Sequence, residues 1–359
     1  MSGPQYRLAF PVRGVLSVLP CGVMAVVVAV DTSAGPEIGY LPLVSLGPAF
    51  AGLVGGWRRT VLIGVLALLL CTALAQYNRL LGDPRGYTAM FSVVGVTAAA
   101  LAAVRMRQAR EAELASVRSI AEVAQRVLLR PVPLVAGKLR IALSYTSAVA
   151  EARIGGDLYE VVTSPVGVRV IIGDVQGKGL EAVETAAVVL GAFREAAYDE
   201  PNLQAVGERV ERALDRHLPS EKFVTAIMAE IGDEPTVTLL NYGHPAPLAV
   251  KIDGDTHLLE PPARALPLGL GVHGTAPPQP HVHPFSPGDQ ILFYTDGVTE
   301  ACNAQGVFYP LTTCAPLLTD TDAESALTAV RQDLIDHVRG PLQDDAAMLL
   351  LRYRQDDTA

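Results

Sequence analysis

Residues 154–179 read IGGDLYEVVTSPVGVRVIIGDVQGKG and contain two β-like apolar runs, each with an aspartate next to a glycine at one end. Asp157 begins the first run, Asp174 ends the second, and the turn-forming residues 165–167 separate the two runs. A hairpin of this length returns the chain on itself. We therefore expect both carboxylates to lie at the same edge of a β-sheet.

Two more acidic clusters lie beside β-like runs farther along the chain. Asp296 ends the apolar run 290–295, and Asp344 and Asp345 directly precede the run 347–353. Several carboxylate oxygens on a rigid scaffold suit Mg²⁺ or Mn²⁺, whereas zinc and copper prefer nitrogen or sulfur ligands. Because carboxylates that are buried together repel one another strongly, a bound cation is the natural compensation.

This set of carboxylates predicts a particular chemistry. Two divalent ions about 3.5–4 Å apart would hold a bridging water, lower its pKa and clamp a phosphoryl oxygen. That is the chemistry of phosphate-ester hydrolysis.

From residue 138 onward, short β-like runs alternate with helical patterns. Strands are expected at 139–145, 158–163, 168–172, 223–231, 236–242, 247–252, 290–295 and 347–353. Helices are expected at 180–198, 203–217 and 323–338, and a loop-rich excursion at 261–289. Short turns between strands favour antiparallel pairing. Helices grouped between sets of strands favour an α+β layered domain over a doubly wound parallel sheet.

The first hundred residues have a different character, which accounts for the positive mean hydropathy of the chain (+0.31). Four stretches lack charge: 14–30, 38–57, 60–78 and 86–104. Each is about long enough to cross a hydrocarbon core of roughly 30 Å as a helix, although prolines and glycines make 38–57 the weakest. We therefore expect four membrane spans.

Arginines predict the orientation of these spans. They precede the first stretch, fill the second connection and follow the fourth stretch from Arg105 onward, whereas the first connection is acidic. Positive residues stay on the cytoplasmic side. We therefore expect a multi-pass protein of the cell membrane, with both termini and everything after Arg105 in the cytoplasm.

Residues 104–130 contain neither glycine nor proline, and their apolar positions recur every three or four residues. This spacing predicts an amphipathic helix that continues out of the fourth span and ends before Pro131. Two interpretations stay open. The helix packs on its own domain, or it is a signal helix through which two chains form a homodimer.

Charge and cysteine content exclude other classes of protein. The net charge of −9 argues against nucleic acid as a partner. Four cysteines without a CxxC pair argue against a disulfide framework or a zinc site. His273, His281 and His283 have the look of a metal triad, but they lie in a proline-rich loop without carboxylates, and we expect them to be loop residues.

Other polar residues lie close to the aspartates in sequence. Arg153 is expected either to bind substrate phosphate through its guanidinium or to be a surface arginine. Lys178, between two glycines, is expected to be solvated in a turn, and His244 to be a loop histidine. Glu300 follows Asp296 by four residues and is expected either to help order the site or to be a turn acid.

Seven motifs, in the same order, carry a resemblance to a known family. They are AQRVLLRPVP (124–133), IGGDLYEV (154–161), GDVQGKGLEA (173–182), FVTAIMA (223–229), NYGHPAPL (241–248), YTDGVTEA (294–301) and DDAAMLL (344–350). Residues 120–353 thereby resemble the bacterial PPM/PP2C-type serine/threonine phosphatases that control sporulation and stress sigma factors (SpoIIE-like). The resemblance implies an α-β-β-α sandwich with two Mn²⁺ or Mg²⁺ ions at the edge of the sheets.

The resemblance also implies roles for individual residues. Asp174 would bridge both metals, the Val175 carbonyl would complete one metal's shell, and Asp157 would act through metal-bound water. Asp296 and Asp344 would hold the other metal, with Asp345 as the alternative to Asp344. These carboxylates form the expected catalytic set. Four residues depart from the family pattern, and none is a proposed metal ligand: Ser147, Glu160, Tyr309 and Ala347.

We therefore expect a membrane-anchored, metal-dependent protein serine/threonine phosphatase that acts on a phosphorylated regulatory protein, for example an anti-sigma antagonist. The expected domains are a membrane region at 1–104, a linker or signal helix at 105–133 and a phosphatase domain at 134–355. One alternative is a catalytically weak receptor or scaffold of the same fold. A second is a nucleotide cyclase, suggested by the Gly-Gly-Asp at 155–157, which would leave Asp296 and Asp344 unexplained.

Overall fold

The computed structural model of this chain describes residues 10–34, 40–146, 155–217, 222–271, 277–320 and 322–354. The chain divides into two units, Met1–Ser116 and Val117–Ala359. The expected boundary at residue 104 lies inside a continuous helix, Pro84–Leu128, because the apolar pattern there changes to an amphipathic one without a helix-breaking residue.

The described part of the first unit is helical. Helix α1 covers Phe10–Ala34, a 3₁₀ helix at Leu41–Ser45 leads into α2 at Leu46–Val54, α3 covers Trp57–Tyr77, and α4 begins at Pro84 and ends at Leu128. Among these described segments, α3 and α4 are long and apolar enough to cross a membrane, judged by length and composition. The stretch expected as the second span is the short pair of helices, which ends where Gly55 becomes extended.

Apolar side chains lie both inside and outside the first unit. A buried cluster includes Met24, Ala67 and Val93. Large apolar side chains on the other faces are exposed, with Leu62 at 70% and Phe91 at 75% of their full accessibility. A helix that is apolar on all sides is typical of a membrane environment.

The second unit contains two antiparallel sheets. In the first sheet the order is β1-β2-β11-β10-β7-β8, with strands Val135–Ala136, Leu139–Thr146, Ala346–Tyr353, Gln290–Tyr294, Leu248–Val250 and Thr256–Leu258. In the second the order is β3-β4-β5-β6-β9, with strands Asp157–Ser164, Gly167–Val175, Val224–Ile231, Thr236–Tyr242 and His281–Pro284. The two sheets face each other across a core that includes Ile141, Val170 and Phe293.

Helices cover the outer face of each sheet. Helices α5 (Leu180–Asp199) and α6 (Leu203–His217) pack on the second sheet, through residues such as Phe193. Helix α8 (Ala323–Val338) and a 3₁₀ helix (Leu311–Thr319) pack on the first sheet, whereas the four-residue α7 (Asp296–Thr299) follows β10. The expectation of an α+β, α-β-β-α sandwich is therefore confirmed.

The sequence pattern missed three short strands. β1, β8 and β9 have two, three and four residues, and none has the alternation of apolar side chains that identifies a strand. β9 lies within the stretch 261–289 that was expected to be a loop. It is an edge strand whose backbone pairs with β6, and such pairing leaves little trace in the side chains.

Candidate functional site

The hairpin β3–β4 brings the first two aspartates together. Asp157 is the first residue of β3, and its partner across the antiparallel ladder is Asp174 near the end of β4. The two strands are joined by a tight turn in which Ser164 pairs with Gly167. The hairpin therefore places both carboxylates at one edge of the second sheet.

The first sheet contributes the remaining acids at the same edge. Asp296 follows the end of β10, and Asp344 and Asp345 precede the beginning of the neighbouring antiparallel strand β11. The end of one antiparallel strand lies beside the beginning of the next, so the three acids are neighbours in the fold. The four clusters predicted from the sequence thus converge.

The pKa values of the carboxyl groups reflect this convergence. Burial, and then the charge of Asp174, raises the pKa of Asp157 well above its usual range. Burial, and then the charges of Asp296 and Asp344, raises the pKa of Asp174 to about 7. Burial and the charge of Asp344 also raise the pKa of Asp296. Each of these three carboxyl groups is therefore exposed to the negative charge of its neighbours. The positive charge nearby does not compensate for that repulsion and for burial.

A buried threonine, which the sequence analysis did not single out, joins the two sheets at this edge. The Thr295 hydroxyl donates to Asp157 Oδ2 at 2.9 Å and accepts the backbone N–H of Ala347 at 3.0 Å. The Thr295 N–H donates to the Ala347 carbonyl at 3.0 Å. The only signal in the sequence was its position directly before Asp296, at the end of an apolar strand.

The backbone around Gly156 comes very close to the second half of the hairpin. The Val175 N–H donates to the Gly156 carbonyl at 3.1 Å. A Cβ atom at residue 156 would collide with the Val175 carbonyl oxygen and would lie 2.7 Å from Asp174 Oδ1. Glycine is therefore required at this position, and it leaves the Val175 carbonyl among the carboxylates.

Lys178 is exposed in the loop after β4, as expected, and it also forms an ion pair. Its Nζ lies 2.6 Å from Asp344 Oδ1, and both side chains are partly exposed. The loop after β4 directs this ammonium back toward the cluster because Asp344 is the most accessible negative charge there. Lys178 therefore brings a positive charge to the edge of the acid cluster.

Asp345 lies deeper than Asp344. It is 3% exposed, and its Oδ2 accepts a hydrogen bond of 2.7 Å from the Tyr145 hydroxyl. Its backbone N–H donates to Asp344 Oδ1 at 2.9 Å. The two neighbouring acids therefore have different surroundings, one partly in solvent and one enclosed by protein.

His244 lies in the loop between β6 and β7, as expected, where it is buried and connects the two sheets. Its Nε2 lies 3.0 Å from the Tyr294 carbonyl, which can only accept, so Nε2 carries the proton. Nδ1 then accepts from the Thr225 hydroxyl at 3.1 Å. Burial lowers the pKa of His244 to about 4, and the imidazole is neutral.

Other predicted residues lie elsewhere. Arg153, Ser147 and His273 are outside the described residues. His281 and His283 are neighbours on the edge strand β9, with ring centroids 5.1 Å apart. Glu300 is exposed at the end of α7.

The remaining departures from the family pattern have structural partners. Glu160 forms an ion pair of 2.5 Å with Arg194, and the Tyr309 hydroxyl donates to Asp333 at 2.8 Å. Ala347 lies in the core between the sheets and pairs with Thr295 through its backbone.

The donor chemistry of the cluster fits hard divalent cations. It offers carboxylate oxygens and the Val175 carbonyl as donors. The pKa values of Asp157, Asp174 and Asp296 are raised by burial first and then by the charges of neighbouring carboxylates. Within the described ranges, however, no three acidic, histidine or cysteine side chains are already close enough to hold an ion.

Comparison with known proteins agrees with this architecture. The family model for stage II sporulation protein E (SpoIIE) matches residues 164–354, which is more than half of the chain. Many solved structures match as well.

One similar structure contains the RsbU and RsbW domains of a Mycobacterium tuberculosis protein, with 24% identity and a TM-score of 0.53. The match covers 61% of this chain and 61% of that one, less than two thirds of its length. The SiaA-PP2C domain of Pseudomonas aeruginosa has 16% identity and a TM-score of 0.55, covering 68% of this chain and 98% of that one. These two likenesses show that the fold is of the PP2C type.

A third structure is the catalytic domain of the serine/threonine protein phosphatase PstP, solved in complex with two manganese ions. It has 14% identity and a TM-score of 0.47 and covers 60% of this chain and 99% of that one.

Proposed function

Because this chain belongs to the SpoIIE family of PP2C-type, metal-dependent protein serine/threonine phosphatases, we propose that it removes phosphate from phosphoserine or phosphothreonine of a regulatory protein at the cytoplasmic face of a membrane. The observation that carries this proposal is the convergence of acids from both sheets at one edge. Asp157 and Asp174 come from one sheet, and Asp296, Asp344 and Asp345 come from the other.

The proposed metal ligands are Asp157, Asp174, the Val175 carbonyl, Asp296 and Asp344, with Asp345 beside them. Two Mn²⁺ or Mg²⁺ ions would supply an acidified water as nucleophile and would polarise the phosphoryl group. Besides burial, the charges of Asp296 and Asp344 in the other sheet raise the pKa of Asp174, and this supports Asp174 as the bridging ligand. Thr295 holds the Asp157 carboxylate through a hydrogen bond. Lys178 and Arg153 are the proposed cations for the substrate phosphate.

The proposed substrate is a phosphorylated regulatory protein, such as an anti-sigma antagonist. One structural relative carries an RsbW domain together with its RsbU domain, which supports a partner in a regulatory assembly. Nothing in the acid cluster itself selects one phosphoprotein over another.

Membrane anchoring is also part of the proposal. Helices α3 and α4 have the length and hydropathy of membrane spans, and exposed apolar side chains lie along both. The C-terminal half of α4 has a stripe of exposed apolar side chains: Leu114, Val117, Ile120, Val123 and Val127. This stripe supports the homodimer through residues 104–130, in which a second copy would cover the apolar face.

The proposal is tested by phosphate release from a panel of phosphoserine and phosphothreonine proteins, using the full chain in lipid nanodiscs with Mn²⁺. Asp174→Asn should lower the rate at least about a thousandfold, as expected when a group acting on the transition state is lost. Asp233→Asn is the matched control, because Asp233 is an exposed turn acid far from the cluster in the fold. Equal rates for the wild type and Asp174→Asn would contradict the proposal.

A scaffold without catalysis is the second candidate, favoured by the absence of a ready three-ligand group among the described residues. Calorimetric titration with Mn²⁺ distinguishes the two functions. Micromolar binding that is lost in Asp174→Asn supports the phosphatase, and no binding by the wild type supports the scaffold.

A further inference from the structure

One side chain at the end of helix α4 contacts both halves of the acid cluster. Gln125 Nε2 donates to the Tyr145 hydroxyl at 3.1 Å and to the Gly155 carbonyl at 3.2 Å. The Tyr145 hydroxyl in turn donates to Asp345 Oδ2 at 2.7 Å. These bonds connect a helix to Asp345 in one sheet and to the residues before Asp157 in the other.

The direction of each of these three hydrogen bonds is determined by its donor and acceptor. The Gly155 carbonyl can only accept, so the nitrogen of the Gln125 amide faces it, and the second N–H of that nitrogen points to Tyr145. The Tyr145 oxygen accepts from Gln125 and has a single proton, which it donates to Asp345. The three side chains therefore form a one-way relay toward the carboxylate.

The space around the relay leaves little room for another arrangement. Asp345 is 3% exposed, and a Cβ atom at residue 155 would collide with its carboxylate. Gly155 thus packs directly against Asp345. A shift of Gln125 moves both the Gly155 carbonyl and the hydroxyl that orients the Asp345 carboxylate.

Helix α4 is itself attached at this end. The Arg194 guanidinium donates to the carbonyl of Leu128, the last residue of α4, at 2.8 Å and pairs with Glu160 of β3. One turn before Gln125, Ala121 packs on Val183 of α5. The position of Gln125 is therefore set by the position of the whole end of the helix.

We propose that Gln125 and Tyr145 are positioning residues, which hold Asp345 and residues 155–157 in the arrangement that binds divalent metal. This inference rests on the proposed metal-dependent function. It adds a physical connection between the helix that follows the membrane region in sequence and the acid cluster.

The test measures Mn²⁺ binding by calorimetry with the full chain in lipid nanodiscs. Gln125→Met keeps the size of the side chain and removes both donors, and Tyr145→Phe removes only the hydroxyl. Loss of a hydrogen bond that orients a ligand typically weakens metal binding about tenfold or more, and we expect about that for each variant. Because the two variants share the loss of the Gln125–Tyr145 bond, and each also removes one bond that the other keeps, the combined loss should be smaller than the product of the two single losses.

Gln332→Met is the matched control. It makes the same chemical change at an exposed position of α8, where the amide donates to Asp336, and it should leave Mn²⁺ affinity unchanged. The relay is overturned if Gln125→Met and Tyr145→Phe bind Mn²⁺ like the wild type while Asp345→Asn binds weakly. It is also overturned if the losses multiply in the double variant.

A second readout needs no metal. Hydrogen exchange of peptides that cover residues 342–349 should be at least about threefold faster in Gln125→Met than in the wild type, because Asp345 loses its anchor. Unchanged exchange there overturns the relay even when the wild type binds no Mn²⁺. Absence of Mn²⁺ binding by the wild type would separately refute the proposed function.

Discussion

At the scale of single residues, Thr295 joins the two sheets at the site. Its hydroxyl uses its proton for Asp157 and accepts from the Ala347 backbone, and the side chain is fully buried. Each of those partners would be left without its bond if the hydroxyl were removed. Such buried, unsatisfied groups are costly.

Thr295→Val should therefore lower the free energy of unfolding by about 1–3 kcal/mol, because valine has the same shape and no hydrogen bonds. Thr295→Ser retains the hydroxyl and should recover most of this loss. Urea unfolding of residues 117–359, followed by circular dichroism, measures both. Equal stability of the valine variant and the wild type would show that the hydroxyl is not needed.

His244 predicts a pH dependence of stability. Its folded-state pKa of about 4 lies below the usual value of 6.5, because burial disfavours the charged ring. The unfolded chain thus binds the proton more readily, and the stability contributed by the neutral ring is complete above pH 6.5 and lost as the pH falls toward 4. The difference in pKa corresponds to about 3 kcal/mol.

The measurement compares the wild type with His244→Gln, which has no titrating ring. The stability of the wild type relative to this variant should fall by up to about 3 kcal/mol between pH 7 and pH 4. The comparison cancels the opposite effect of the aspartates with raised pKa values, which is common to both proteins. A constant difference across this range would contradict the assignment.

At the scale of elements, the loop between β4 and α5 brings one positive charge to the acid cluster. Lys178 comes from this loop and pairs with Asp344, so it would compete with the proposed metal for the same oxygen. The pair is partly exposed, and such pairs are worth at most about 1 kcal/mol.

Lys178→Met should accordingly tighten Mn²⁺ binding by up to about fivefold, since Asp344 loses its competing partner. Lys138→Met, which removes an exposed lysine paired with Asp233, should have no effect. Calorimetry gives both values. Weaker Mn²⁺ binding by the Lys178 variant would instead mean that the ammonium supports the metal-bound state.

Helices were easier to predict than strands in this chain. The patterns at 203–217 and 323–338 match helices α6 and α8 in their bounds, because each keeps one apolar face over several turns. The strands β3, β4 and β11 were expected within one to three residues. β8 and β9 were missed, since short edge strands form through backbone pairing with a neighbour.

At the scale of the whole molecule, the chain combines a unit with apolar outer surfaces and a unit with layered internal cores. Side chains such as Leu62 and Phe91 are exposed in the first unit. In water these surfaces would cost free energy in proportion to their area, whereas in lipid they would not.

We therefore expect the full chain to float with liposomes and to resist extraction by alkaline carbonate. Residues 117–359 should remain in the soluble fraction of the same gradient. Density-gradient flotation with immunodetection measures this. Extraction of the full chain by carbonate would show that the first unit does not span the bilayer.

The sequence by itself determined the identity and order of the acids, the α+β character of the second unit and the apolar character of the first. These properties are local, since they depend on residue type and on the period of apolar positions. From the sequence alone it was only a hypothesis that four acids lie close together in space, namely Asp157, Asp174, Asp296 and Asp344. Their proximity depends on which strands pair and in which register. The four membrane spans stay a prediction, because among the described helices α3 and α4 have the length and hydropathy of a span.

Only the tertiary structure decided how the site is held together. Thr295 joins two sheets, His244 bridges two strands from different sheets, and Gln125 reaches Asp345 across 220 residues of sequence through Tyr145. Each contact depends on where distant segments pack, and no local pattern of residue types encodes that distance. The physical reason is that side-chain hydrogen bonds of this kind form after the strands have paired, and their partners are chosen by the fold.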